Sequence, residues 1–285
     1  MDHADAAWLL NQAGQRWSSV GEWKRAELLL RRALSVNECR LGLISPLVGQ
    51  NLLSVSGVLL QTNALPEAQA LCERAIKINE VSFGKDSLEV ARGLQHLGIL
   101  YYLQGRLAGA EEALRCTIRI YERIYGHDNP ILAPVLSSLA MSLQGDAWMS
   151  QAEPLYRRAL AILDKAGKTD TPAGASVLNN LAGLILRTDE TRLREVESLY
   201  LQIVRILENQ DEPKLAMAVA LRNLVQVIPP WRAHEAEPLM RRALHLLLDS
   251  SAKSGRPHSH LTQFVGDYGE VCATMKMPMP LLVES

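Results

Sequence analysis

One stretch recurs along this chain closely enough to dictate its fold. Residues 151–162, QAEPLYRRALAI, return with drift at 25–36, 67–78, 109–120, 195–206 and 235–246. A small or β-branched residue near the start of each copy marks the phase: Ala26, Ala68, Ala110, Ala152, Val196 and Ala236, separated by 42, 42, 42, 44 and 40 residues. A second column, Ala33, Ala75, Thr117, Ala159, Ile203 and Ala243, follows seven residues later. Seven residues are about two helical turns, so both columns lie on one helix face. Small side chains there allow a neighbouring helix to approach closely. Leu155, Leu160 and Ile162 flank them as expected packing residues. Each copy reads as an amphipathic helix of roughly 14 residues.

A second kind of helix precedes each copy. Its core is Leu94-Gln95-His96-Leu97-Gly98, Leu136-Ser137-Ser138-Leu139-Ala140, Leu178-Asn179-Asn180-Leu181-Ala182 and Leu221-Arg222-Asn223-Leu224-Val225, with leucines three apart and a small residue closing the motif. Between the two helices lies a turn with Gly21, Asn63 or Gly105, residues suited to a left-handed helix end. Between pairs the chain offers Gly84-Lys85-Asp86, Gly126 through Pro130, Asp170-Thr171-Pro172, Asp211-Glu212-Pro213 and Gly255-Arg256-Pro257. Polar residues before proline start helices. No sustained period-two pattern signals a strand.

The expectation is an all-α solenoid of six helix–turn–helix repeats, at about 5–42, 46–83, 87–125, 129–167, 171–209 and 213–249, in a single repeat domain across residues 1–285. A C-terminal capping helix at 258–275 closes it, because terminal repeats meet water on one side. Repeat five carries two extra residues near Thr188-Asp189-Glu190-Thr191 and lacks the turn glycine. Repeat six has Pro229-Pro230-Trp231-Arg232 where its first helix should finish, so that helix should stop by Ile228. Regularity is expected through repeat four and local departure after it.

Composition narrows the function classes. The chain has 285 residues, 48% of them hydrophobic and 21% charged, which suits a folded protein. Thirty basic and 31 acidic residues leave a net charge of −1, so no global basic field draws nucleic acid. The N-terminus lacks the basic start and continuous apolar core of a secretory signal. No apolar run approaches the ~20 residues that span a bilayer. A cytoplasmic location without membrane insertion is expected. Cys39, Cys72, Cys116 and Cys272 form no CxxC and are expected to be buried free thiols. The five tryptophans sit near helix starts or turns and are expected to pack.

The motifs resemble the tetratricopeptide repeat, in the 42-residue form of kinesin light chains. Repeat four carries Gly126, Pro130, Leu136, Leu139, Ala140, Ala152, Glu153, Leu155, Tyr156, Arg158, Ala159, Leu160 and Ile162 of that pattern. Repeat five supplies its Leu-Asn-Asn-Leu-Ala core, and repeat one has Gly21, Trp23, Ala26, Glu27, Arg32, Ala33 and Leu34. The resemblance extends from residue 5 to about 275. It implies a right-handed superhelix whose first helices line the concave face and whose second helices form the convex one. It also implies a protein- or peptide-binding role.

Carrying that phase over, the concave columns include Asn11, Gln50, Arg92, Gln95, Tyr102, Asn179, Arg222 and Gln226. Amide and guanidinium donors of this kind can hold a peptide's backbone and carboxylates. Gln50, Arg92, Gln95 and Tyr102 are expected as one group, and Asn179, Arg222 and Gln226 as another. The column is poor in asparagine through repeats two to four, with Leu53, Gln95 and Ser137. Arg31-Arg32, Arg157-Arg158 and Arg241-Arg242 recur beside Glu27, Glu153 and Glu237, so intrahelical pairing on a solvated convex face is expected.

Nothing in the sequence points to catalysis. There is no phosphate-cradling GxxxxGK[ST], no HExxH and no GxSxG. His258 and His260 lack a cysteine or acid cluster, so no metal site or cofactor is expected. His96 reads as a packing or hydrogen-bonding residue. The favoured reading is a non-catalytic adaptor for a protein or extended peptide, with no nucleic acid partner. Self-association through an exposed solenoid end is a further option. The alternative is a regulatory or sensor module for a separately encoded enzyme or NTPase.

Overall fold

The computed structural model describes residues 3–143, 149–210, 214–254 and 260–275. The linker residues 211–213 and 255–257, Trp148, His258 and Ser259 lie outside the described residues. Among the described residues there are thirteen α-helices and no strand. The chain divides into two compact units, Met1–Leu155 and Tyr156–Ser285.

The first unit holds α1 (His3–Ser19), α2 (Trp23–Leu41), α3 (Pro46–Gln61), α4 (Leu65–Phe83), α5 (Leu88–Leu103), α6 (Leu107–Tyr125), α7 (Leu132–Ser142) and the start of α8 (Met149–Lys165). Helices α1 to α7 each pack against their sequence neighbours, and α1, α3, α5 and α7 also touch one another in series. Left-handed backbone recurs at Gly21, Gly42, Asn63, Gly84, Gly105 and Gly126, spaced by 21 residues. Turns within pairs and ends of pairs therefore alternate on one period. At Gly84 (φ +85°) an added Cβ would meet nothing within 4 Å. The requirement there is conformational, and Gly84→Ala should lower stability by about 1 kcal/mol, read as a shift in urea midpoint at constant slope.

The small-residue columns pack as their spacing implies. Ala26, Ala68, Ala110 and Ala152 are fully buried, as are Ala33, Ala75, Thr117 and Ala159. The large side chains flanking them need a correction. Ile162 is buried, but Leu155 and Leu160 are only half-buried, and the fully buried residue in that copy is Tyr156. It belongs to a column with Leu30, Cys72 and Leu114, all buried. Leu30 and Leu114 face the small residue that closes the first-helix motif. A Cβ on Gly14 would lie 2.6 Å from Leu30 Cγ, and one on Gly98 would lie 2.6 Å from Leu114 Cγ. In repeat two that place is taken by Ser56, whose hydroxyl donates to the Ala68 carbonyl at 2.8 Å.

The second unit holds the rest of α8, then α9 (Pro172–Thr188), α10 (Leu193–Glu208), α11 (Lys214–Val227), α12 (Ala233–Ser254) and α13 (Leu261–Thr274). Here the turn chemistry changes. In place of a left-handed residue, 3-10 turns at Glu190–Arg192 and Pro230–Arg232 join the helices. Helix α11 stops at Val227, two residues before Pro229, because proline supplies no N–H to continue it. Thr171 caps α9 by accepting the Gly174 N–H, with Pro172 in its first turn. Helix α13 closes this unit by burying Phe264, Tyr268 and Cys272.

Two expectations about single residues fail. Cys39 is exposed and Cys116 half-exposed, so only Cys72 and Cys272 are buried thiols. Cys39 sits in the last turn of α2, on its solvent side. Trp8 and Trp231 are also exposed, at 62% and 80%. Trp231 rides the proline turn and is left in solvent there.

Candidate functional site

The recurring arginines form a surface lattice. Arg31 bonds Glu27 one turn away at 2.8 Å, as its spacing predicts, and Glu67 of the next pair at 2.7 Å. Arg157 reaches Glu195 of the following pair at 2.8 Å. Arg74 returns to Glu38 at 2.7 Å, and Arg232 holds both Glu197 and Glu235. Spacing within one helix cannot show these bonds between pairs. Such half-exposed pairs each add little to stability, but they give Arg31 and Arg157, one member of each of two arginine pairs, a carboxylate of the next helix pair.

On the first-helix side, four of the eight expected groove residues converge in the first unit. Asn11 of α1, Gln50 of α3, and Arg92 and Gln95 of α5 line one cavity of about 290 Å³, with Gln15, Leu53, Ser54, Asn79, Glu89 and His96. A chain of amides runs beneath it. The buried Asn37 donates to Asn51 Oδ1 at 2.6 Å, and Asn51 donates to Asn11 Oδ1 at 3.2 Å. Two pairs further on, Tyr121 donates to Gln95 Oε1 at 3.2 Å. The amide oxygens of Asn11 and Gln95 are thereby engaged by the protein itself. Their NH₂ groups remain as donors at the cavity wall. Burial holds the His96 imidazole below its ordinary pKa, so it is neutral at pH 7.

Tyr102 does not line this cavity. It is half-buried, near the end of α5. In the second unit the expected group is split between separate contacts. Asn179 accepts from Asn223 at 3.3 Å. Arg222 bonds Asp267 of α13 and lies over the Phe264 ring at 5.4 Å. Gln226 lines a smaller cavity of about 190 Å³ with Asp267 and Glu270. The capping helix thus supplies the carboxylate that Arg222 holds.

Asn37, Asn79 and Tyr121 reach the site from second helices, and Asn51 and Glu89 from first-helix positions outside the expected groove columns, so the groove register alone does not reveal these five. A signal existed for three of them: 37, 79 and 121 recur at 42 residues in the second helices. A separate apolar hollow of about 480 Å³, edged by the exposed Leu43, Ile44 and Val81 with Arg74 and Lys77, has no counterpart in the motif reading.

A family model for the tetratricopeptide repeat matches residues 50–123. No curated protein matches the chain. Among solved structures, a Podosopora anserina kinesin-light-chain-type protein of nearly identical TPR-like repeats shares 18% identity, with a TM-score of 0.59 over 72% of this chain and 96% of that one. BtubC (BKLC) from P. vanneervenii shares 17% identity at TM-score 0.57, covering 96% of both chains. The apo form of RapI shares 13% at TM-score 0.66, covering 95% of this chain and 98% of that one. Repeats of this family are in general protein-interaction scaffolds without catalytic activity, and bind proteins or peptides. Among the described residues no helix is long and apolar enough to cross a membrane. The chain therefore has a tetratricopeptide repeat fold of the kinesin-light-chain-like kind, and residues 50–123 belong to the tetratricopeptide repeat family.

Proposed function

We propose that this chain is a non-catalytic adaptor that holds an extended segment of a partner protein against α1, α3 and α5. The observation that carries this reading is the convergence of Asn11, Gln50, Arg92 and Gln95 on one cavity, with the Asn11 and Gln95 amide oxygens already engaged and their NH₂ groups left as donors. Amide NH₂ groups suit peptide carbonyls, and a guanidinium suits a carboxylate. These are groups that hold a ligand rather than break its bonds. The net charge of −1, and carboxylates already held by Arg31, Arg74 and Arg157, support a partner other than nucleic acid. Free thiols, one of them exposed, support a reducing, cytoplasmic setting.

Affinity purification with quantitative mass spectrometry tests the reading. Partners recovered with the wild-type chain should fall about tenfold or more with a Gln50→Ala, Arg92→Ala double variant, while Arg157→Ala on the outer lattice leaves them unchanged. Equal recovery by the double variant would remove the groove reading. Nucleotide or ester hydrolysis by the purified chain would remove the non-catalytic one.

A further inference from the structure

The cavity of the first unit contains two opposite charges that do not pair with each other. Glu89 and Arg92 are three residues apart on α5, a spacing at which acid and base commonly bond. Both line the cavity, yet neither side chain has an ionic partner among the described residues. Arg31, Arg74, Arg115 and Arg123 of the same unit are bound to carboxylates, whereas Arg92 stands with an equally unpaired Glu89 at the wall of one cavity.

A third group points to a ligand as well. Asn79 is fully buried and lines the same cavity. Its Nδ2 donates to the Glu89 carbonyl at 3.3 Å, which fixes the orientation of the carboxamide, and its Oδ1 has no hydrogen-bond partner. A buried acceptor without a donor costs about 1–3 kcal/mol. Gly49 makes room for it, since a Cβ there would lie 2.7 Å from that oxygen. Leu53 adds an apolar wall, and Asn11 and Gln95 line the same cavity.

We propose that this cavity selects a peptide segment carrying both signs of charge, its carboxylate on Arg92 and its ammonium or guanidinium on Glu89. The proposal rests on the peptide-holding reading above and names the chemistry of the segment held. The volume of about 290 Å³ suits a short stretch of side chains rather than a folded domain. In a partly enclosed site, opposite charges attract more strongly than on open surface, and a like charge is rejected. Amide donors bind the carbonyls of the segment.

An array of short immobilised peptides, probed with the full chain, tests this. The four sets share one background and carry an acidic residue, a basic residue, both, or neither. Mixed-charge peptides should be retained about tenfold better than either singly charged set, a difference of about 1.4 kcal/mol. Arg92→Gln should abolish the preference for the acid and keep that for the base. Glu89→Gln should do the reverse. Both side chains are at least partly solvent-facing, so folding should persist, and circular dichroism checks it. Retention without regard to charge, or a charge preference that survives both substitutions, overturns the proposal and leaves the peptide-holding reading standing. Retention of no peptide in any set overturns both.

Discussion

Replacing Leu114 by alanine should cost about 2–5 kcal/mol of unfolding free energy, read as a fall in urea midpoint. Leu114 is fully buried on α6 and faces Gly98 of α5. Removing its isobutyl group leaves a void that two packed helices close only in part. The companion variant gives the sharper measurement. Gly98→Ala places a Cβ 2.6 Å from Leu114 Cγ and 2.9 Å from Cδ2, so in the wild type it should destabilise by about 1–3 kcal/mol. In the Leu114→Ala background the same change fills space and gains about 1 kcal/mol of helix propensity. Its sign should reverse. Equal cost in both backgrounds would show that close approach at this point is not what holds the pair together.

Tyr268→Ala should release α13 from the second unit, at a cost of about 3–5 kcal/mol to that helix. Tyr268 is fully buried and donates to Glu237 Oε1 at 2.7 Å. Phe264 beside it lies under Arg222. Hydrogen exchange should rise sharply over Leu261–Thr274 and stay unchanged over α1 to α6. Unchanged protection in α13 would mean that Phe264 and Cys272 suffice to hold it. The contact also has a pH sign. Arg241 and the Tyr268 hydroxyl hold the Glu237 carboxyl below its ordinary value of 4.5. A lowered carboxyl contributes stability that is complete above the ordinary value and is lost as pH falls through the folded one. Tyr268→Phe removes only the hydroxyl and should cost about 1–3 kcal/mol at neutral pH. That penalty should shrink as the medium is acidified below 4.5.

The architecture was legible in the sequence because the packing requirement repeats. A helix pair that must approach its neighbours closely needs a small residue at the same place each time, and Ala26, Ala68, Ala110 and Ala152 occupy it. Pro229 announced the end of α11 for an equally local reason. The candidate site was half legible. Asn11, Gln50, Arg92 and Gln95 share a register on first helices, and register is a property of the sequence. Tyr102 shares it too but lies outside the cavity. In the sequence Arg222 reads as a free groove cation, because its partner Asp267 is 45 residues away on a helix with its own phase.

By itself, then, the order of residues determined the helix pairs, their turns and which face of each helix is apolar, since all of these follow from spacing along one chain. Tertiary structure decided which charges remain available. Arg31, Arg157 and Arg232 look like Arg92 in one dimension, and each meets an acid from the neighbouring pair. Arg92 meets none among the described residues, and the buried Asn79 of the same cavity keeps an unpartnered oxygen. Whether a charge is spent inside the protein or left for a ligand depends on distances between helices that come together only when the pairs stack.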